Sequence, residues 1–400
     1  MHLKQFRKAG HTPSLFAALI HFDVSFMVWT ILGALGIYIA EDLGLSASEK
    51  GLLVATPLLA AAVARITMGV LADRFGPKRV GSISMLIVLA PLLWGWLAAD
   101  SLSQLVGVGL LLGVAGGSFA VSLPLASRWF PPQYQGLAMG IAGAGNSGTV
   151  ICTLAAPRLA DAYGWQTTMG IAAIPVMLAF VGYIVLAKEP AKPAQPLRGR
   201  DIAKLLREVD TWRLCGFYAV TFGCFVGFAS FLPILLHDQY GLSKLEAATA
   251  TAVGAALGSF LRPLGGYLAD RVGGTTVLAG VYGIARAVLL AVSTIPPLNV
   301  ALVAFPVAMA AFGIGNGATF QLVGLRFRER IGVVTGLVGA AGGIGGFLLP
   351  FGLGSLHDSA GGYGFGIGLV GAAALCALVG IVIVRAHWRR SWAQLAEARV

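Results

Sequence analysis

Residues 65–79 read RITMGVLADRFGPKR, and residues 262–274 read RPLGGYLADRVGG. Each stretch opens on an arginine set in an apolar run and closes on a charged turn. In the first, the run extends from Leu52 to Ala72, so a helix would carry Arg65 about 12 Å along its axis from Asp73. An arginine at bilayer depth costs at least about 2.5 kcal/mol and as a rule faces a cavity or a partner. Two of them at matching places indicate a duplicated chain that uses both.

The rest of the sequence agrees with a membrane setting. Of 400 residues, 57% are hydrophobic and 11% charged, and mean hydropathy is +0.82, far from a soluble average. Apolar stretches of spanning length recur twelve times, at 14–39, 50–72, 80–99, 102–127, 135–157, 167–187, 213–236, 246–269, 275–294, 299–324, 332–355 and 364–385. The basic N-terminus precedes a run too long for a signal-peptide core, so the first span is expected to be permanent. The net charge of +11 does not imply nucleic acid, because of 28 Lys and Arg, 22 fall on one set of ends and loops. Only Lys50, Arg158 and Lys244 fall on the other set, and Arg65, Arg262 and Arg286 lie within spans. Under the positive-inside rule both termini and the central loop are cytoplasmic, which needs an even number of spans.

Cys152, Cys215, Cys224 and Cys376 stand singly in apolar runs and read as small core residues. Trp94, Trp96, Trp129, Trp165 and Trp388 lie near span ends, where interface anchors are expected. GAGNSG and GIGNG, the latter at Gly313–Gly317, follow no strand and lie in apolar spans, so no dinucleotide site is expected. Neither metal nor cofactor is indicated.

The least apolar internal stretch, residues 188–212, is expected to link a six-helix bundle at 1–187 to a second at 213–400. An offset of 197 matches Arg65, Gly69, Leu71, Ala72, Asp73, Arg74 and Gly76 with Arg262, Gly266, Leu268, Ala269, Asp270, Arg271 and Gly273. An offset of 196 lays GLAMGIAGAGNSG, from Gly136, on GVVTGLVGAAGGI, from Gly332. The expected fold is therefore an all-α membrane protein of 12 transmembrane helices in two pseudo-symmetric six-helix bundles, the plan of transporters that rock two halves around a midplane site.

GVLADRFGPKR, Gly69 to Arg79, resembles the loop motif between helices 2 and 3 of the major facilitator superfamily, and GYLADRVGG resembles its second copy between helices 8 and 9. The likeness implies a gating latch of Gly69, Asp73, Arg74, Gly76, Asp270 and Arg271, with the carboxylates facing a neighbouring helix N-terminus. GIAGAGNSGT, from Gly140, and GLVGAAGGIGG, from Gly336, resemble the paired glycine-rich signatures of the nitrate/nitrite porter family, and that resemblance covers essentially the whole chain. It implies substrate arginines at Arg65 and Arg262, a signature asparagine at Asn146, and aromatics beside the anion at Tyr218, Phe222 and Phe119. Gly143, Gly145, Gly339 and Gly343 would let helix backbones approach a small ion.

The chemistry is coherent with a planar anion. Among 17 Asp and Glu, only Asp23 falls in the interior of a span and the others sit at helix ends or in loops, so the two arginines have no carboxylate at their depth. Guanidinium is planar and forked and gives parallel N–H···O bonds to a trigonal oxyanion, which lysine does not. Expected, then, is a secondary transporter of nitrate and nitrite in a prokaryotic cytoplasmic membrane, not an enzyme, acting as a monomer. The alternative within the fold is a carrier for a carboxylate or an organic phosphate. Coupling is open between nitrate/nitrite exchange and proton symport. For symport His21 and Asp23 are candidates, although the same two residues could form a structural pair or lie in the interface.

Overall fold

The computed structural model describes residue 6 and residues 8–190, 205–327 and 331–392. Most of the expected linker, 191–204, and the basic loop 328–330 lie outside the described residues. The helices of the first half are α1 Thr12–Trp29, α2 Ile31–Ala34, α3 Gly36–Leu43, α4 Ala47–Phe75, α5 Pro77–Leu97, α6 Leu102–Gly116, α7 Phe119–Ser127, α8 Pro132–Gly143, α9 Gly148–Tyr163 and α10 Trp165–Leu186. Those of the second are α11 Val209–Tyr240, α12 Lys244–Phe260, α13 Arg262–Val272, α14 Gly274–Ser293, α15 Leu298–Arg326, α16 Ile331–Ala360 and α17 Gly364–Ser391.

Ten helical stretches among the described residues are long and apolar enough to cross a membrane. The fifth and eighth expected spans are each divided, and sequence chemistry explains both divisions. In the fifth, Ala144–Ser147 tightens into a 3-10 turn between α8 and α9, in a run where Gly140, Gly143, Gly145 and Gly148 weaken the α-helix. In the eighth, Pro263 has no N–H to donate one turn back, and the helix breaks at Leu261. The fourth span is also broken, between α6 and α7 at Gly117 and Ser118.

Local geometry repeats with the 197-residue offset. Ser46 and Glu49 form a capping box at the start of α4, and Ser243 and Glu246 form the same box at the start of α12. The turn glycines Gly76 and Gly273 both have φ of 92°, a conformation that disfavours any side chain, which accounts for a glycine at that place in each motif.

The halves meet along α4 and α16. A Cβ placed on Gly51 would lie 2.6 Å from the Pro350 carbonyl and 3.1 Å from Gly354, and farther along one on Gly343 would lie 3.0 Å from Ala62. Backbones this close require residues without side chains. Ion pairs join the halves at the end opposite the basic loops. Lys50 pairs with Asp238 at 2.7 Å, Lys244 pairs with Glu41, and Ser48 donates to Asp358 at 2.6 Å. Glu41 and Asp238 are themselves 197 residues apart, so the two lysine pairs cross between the halves as a brace.

Some expectations are corrected here. Trp165 and Trp388 are buried within the protein, and each indole N–H finds a carboxylate, Asp42 at 2.9 Å and Asp210 at 2.6 Å. Cys376 is exposed, unlike the three buried cysteines. Arg286 is exposed on α14.

Replacing Gly51 with Val should overpack the α4–α16 contact at a cost of about 1–3 kcal/mol. The unfolding temperature of the purified protein in detergent should fall by several degrees. Gly352→Ala, on α16 at a place where a Cβ meets nothing within 4 Å, should leave it unchanged.

Candidate functional site

Arg65 is the most informative side chain, being 1% exposed at the centre of the molecule. Its Nε donates to the Gly116 carbonyl at 3.0 Å and its Nη1 to the Gly339 carbonyl at 2.5 Å. The first acceptor exists because the fourth span breaks there. At the break the Ala120 N–H bonds to Gly117 at 3.0 Å rather than one residue farther back, which leaves the Gly116 carbonyl for the guanidinium. The indole of Trp29 and the ring of Phe222 lie over the same guanidinium, at 5.1 and 4.8 Å. Nη2 has no protein partner.

Arg262 opens α13 just past the break in the eighth span. Its guanidinium lies over Phe119 at 5.6 Å and Phe320 at 5.4 Å, and Nη1 has no protein partner. Arg65 and Arg262 are within electrostatic range of each other and of Tyr218, whose hydroxyl is within hydrogen-bonding reach of Arg262. Between them runs a continuous aromatic wall. Phe222 stacks on Tyr218 at 5.1 Å, Tyr218 meets Phe320 edge-on at 5.0 Å, and Phe320 meets Phe119 at 5.6 Å. The expected Tyr218, Phe222 and Phe119 are thus brought together, and Phe320 and Trp29 join them.

The glycines divide by task. Gly339 faces the centre, where a Cβ would touch Arg65 at 3.4 Å and Phe119 at 3.9 Å. Gly343 and Gly145 serve packing, against Ala62 and against the Phe22 ring. Gly143 borders open space. The position that admits the aromatic pair is Gly342, where a Cβ would lie 2.7 Å from Tyr218 and 2.9 Å from Phe222. In sequence it stood out only as the repeat partner of Asn146.

Asn146 is 1% exposed in the 3-10 turn, and neither its amide nitrogen nor its amide oxygen has a protein partner. Its backbone carbonyl accepts from Ser259 in the other half at 3.4 Å, three residues before Arg262. His21 and Asp23 do not form a pair. Two residues apart on a helix, they point to different neighbours. His21 is buried with Nδ1 2.8 Å from the Ser122 hydroxyl, whereas Asp23 accepts from the Ser147 hydroxyl at 2.5 Å, next to Asn146.

The motif at the basic end is also divided. Asp73 accepts from Arg128 at the end of α7 instead of facing a helix N-terminus. That position, at the start of α5, is taken by Glu189, which accepts from the backbone N–H groups of Lys78 and Arg79 at 3.3 and 3.2 Å. Gly69 packs on Ala120 of α7, Arg74 lies over Phe75, Arg271 lies over Tyr267, and Asp270 is exposed.

The family model described as Major Facilitator Superfamily matches residues 17–350. The chain belongs to the major facilitator superfamily. Within it, the similarity is to nitrate and nitrite porters. The "Probable nitrate/nitrite transporter NarK2" of Mycobacterium tuberculosis is 37% identical over 359 residues, covering 87% of this chain and 90% of that protein. The "Nitrite extrusion protein" of Bacillus subtilis is 32% identical over 364 residues, covering 91% of each. This places the chain in the nitrate/nitrite porter family. Among solved structures, the xylose transporter XylE from E. coli, in a partially occluded inward open conformation, matches with a TM-score of 0.73 at 16% identity, covering 92% of this chain and 96% of that one. That likeness concerns the fold of the porter alone.

Gly342→Val in this porter should force Tyr218 and Phe222 away from Arg65 and cut transport roughly ten- to a hundredfold, the equivalent of about 1–3 kcal/mol of overpacking. Gly140→Ala should leave transport intact, since a Cβ there meets nothing within 4 Å. Size-exclusion profiles of both variants check that the fold survives.

Proposed function

We propose that this porter moves nitrate and nitrite across a prokaryotic cytoplasmic membrane by alternating access, with Arg65, Arg262 and Asn146 holding the anion and Tyr218, Phe222, Phe119 and Gly339 shaping its slot. The observation that carries the reading is a pair of guanidinium groups near each other, each with one nitrogen lacking a protein partner and neither paired with a carboxylate. Such a pair is complete only when an anion sits between the forks. Rings on its flanks exclude water and favour a weakly hydrated ion over phosphate, while the tight helix approaches leave little room for a carboxylate-bearing organic substrate.

The basic loops face the cytoplasm on this reading, and the ion-pair brace closes the outer end. Without substrate, repulsion between Arg65 and Arg262 opposes drawing the halves together at their level, and a bound anion relieves it. Asp73, Arg74, Asp270 and Arg271, with the turn glycines, form the latch of the cytoplasmic end. Moving a monovalent anion inward against a negative-inside potential costs about 2.3 kcal/mol per 100 mV, so net uptake requires a coupled ion or an exchanged anion. Exchange needs no titrating group beside the anion. Symport needs one, and Asp23 is favoured over His21, because its Ser147 contact adjoins the Asn146 turn whereas His21 is occupied within the first half.

In proteoliposomes, Arg65→Lys and Arg262→Lys should each reduce kcat/KM for nitrate roughly ten- to a hundredfold, corresponding to about 1.5–3 kcal/mol for a lost charge-assisted bond. Near-normal uptake in both variants would sink the assignment. Asp23→Asn separates the couplings: under symport it abolishes uptake driven by an inward proton gradient, and under exchange it leaves nitrate uptake into nitrite-loaded vesicles unchanged.

A further inference from the structure

Asn316 is a buried carboxamide that neither the repeat nor the packing explains. It is 0% exposed on α15, and both its Oδ1 and its Nδ2 lack a protein partner. A carboxamide in that condition at bilayer depth is costly unless something else uses its donors and acceptor. Its depth is that of the arginines. Arg65, Arg262 and Asn316 each come eighteen residues after the first residue of the pass that carries them, Ala47, Lys244 and Leu298, and the three passes run in the same direction.

The rotation of α15 is fixed by its neighbours. Gly313 backs onto Gly258, and Gly317 onto the Arg262 carbonyl and Gly266, while on the far side Gly315 backs onto Thr221 of α11. Phe320, one turn after Asn316 and on the same stripe, touches Tyr218, Phe119 and Arg262. Asn316 therefore projects between α11 and α13, beside the aromatic wall and toward the arginine pair. Its counterpart at the 197 offset is Phe119, so the amide is not a relic of duplication.

We propose that Asn316 is a further substrate-contacting residue, and that it discriminates between a three-oxygen and a two-oxygen anion. Each half then supplies one arginine and one carboxamide: Arg65 and Asn146 from the first, Arg262 and Asn316 from the second. The unpartnered Nη2 of Arg65 and Nη1 of Arg262 serve two of the three oxygens of a trigonal ion. A neutral amide N–H reaches the remaining oxygen without adding charge, and nitrite has no such oxygen. This rests on the anion-porter reading above.

The test uses the purified full-length protein and measures nitrate and nitrite binding by calorimetry, together with the unfolding temperature with and without each ion. Asn316→Leu, of similar volume, should weaken nitrate binding roughly tenfold, the effect of one hydrogen bond of about 1.4 kcal/mol, and weaken nitrite binding less. The same variant should leave the substrate-free protein as stable as before or more so, since it removes an orphaned amide. Asn316→Ser, which keeps a small donor, should recover part of the nitrate affinity. A Leu variant that loses substrate-free stability while keeping the wild-type ratio of nitrate to nitrite affinity would show a structural amide and overturn the proposal. So would unchanged affinities for both ions. If Leu does not fold, an unchanged affinity ratio in the Ser variant overturns it equally. Failure of wild-type protein to bind either ion would instead refute the anion-porter reading.

Discussion

The arrangement depends on keeping a guanidinium charged in a place without carboxylates. Arg65 is held by two backbone carbonyls and two aromatic faces, all dipoles or quadrupoles, and none carries a full negative charge. Such partners stabilise the cation without neutralising it. A carboxylate in their place would satisfy the arginine permanently and leave no demand for a mobile anion. The broken fourth span, the approach of α16 through Gly339 and the burial of Trp29 can all be understood as provisions for this one group.

The breaks in the fourth, fifth and eighth spans share a logic. A regular helix hides its own backbone polarity, so a membrane site that needs backbone acceptors or a precisely placed polar side chain must interrupt one. Gly116 gives its carbonyl at one interruption, Asn146 lies in the second, and Arg262 begins the helix after the third. Glycine and proline at these points weaken helices that a bilayer would otherwise enforce. Their placement ties the two halves together as well, because Ser259, whose carbonyl Pro263 cannot serve, is the residue whose hydroxyl reaches Asn146.

Much of this was legible in the sequence for a definite reason. Charges are so rare in the apolar spans that Arg65 and Arg262 stood out unaided, and an offset of 197 could be read because each repeat carries the same glycines and acids. What escaped detection depends on tertiary neighbours. Phe320 and Trp29 look like any apolar residue in a span, Gly342 like any small one, and Asn316 sat in a glycine run that resembled a discounted loop motif. Asp73 pairs with Arg128 and leaves the start of α5 to Glu189, because the approach of Arg128 cannot be seen in a linear motif. His21 and Asp23, neighbours in the chain, separate once a helix turns them to different partners.

The crossed brace at the end opposite the basic loops has a consequence for the energy landscape. Its two lysine pairs, Lys50 with Asp238 and Lys244 with Glu41, are partly exposed and so are screened by dissolved ions, unlike the enclosed arginines. Added electrolyte on the side of the brace therefore tilts the balance of conformers without touching the enclosed arginines. In concentrated brine the population open at the brace end should rise, and the affinity for a ligand offered from that side would rise with it, although no atom around Arg65 and Arg262 had changed.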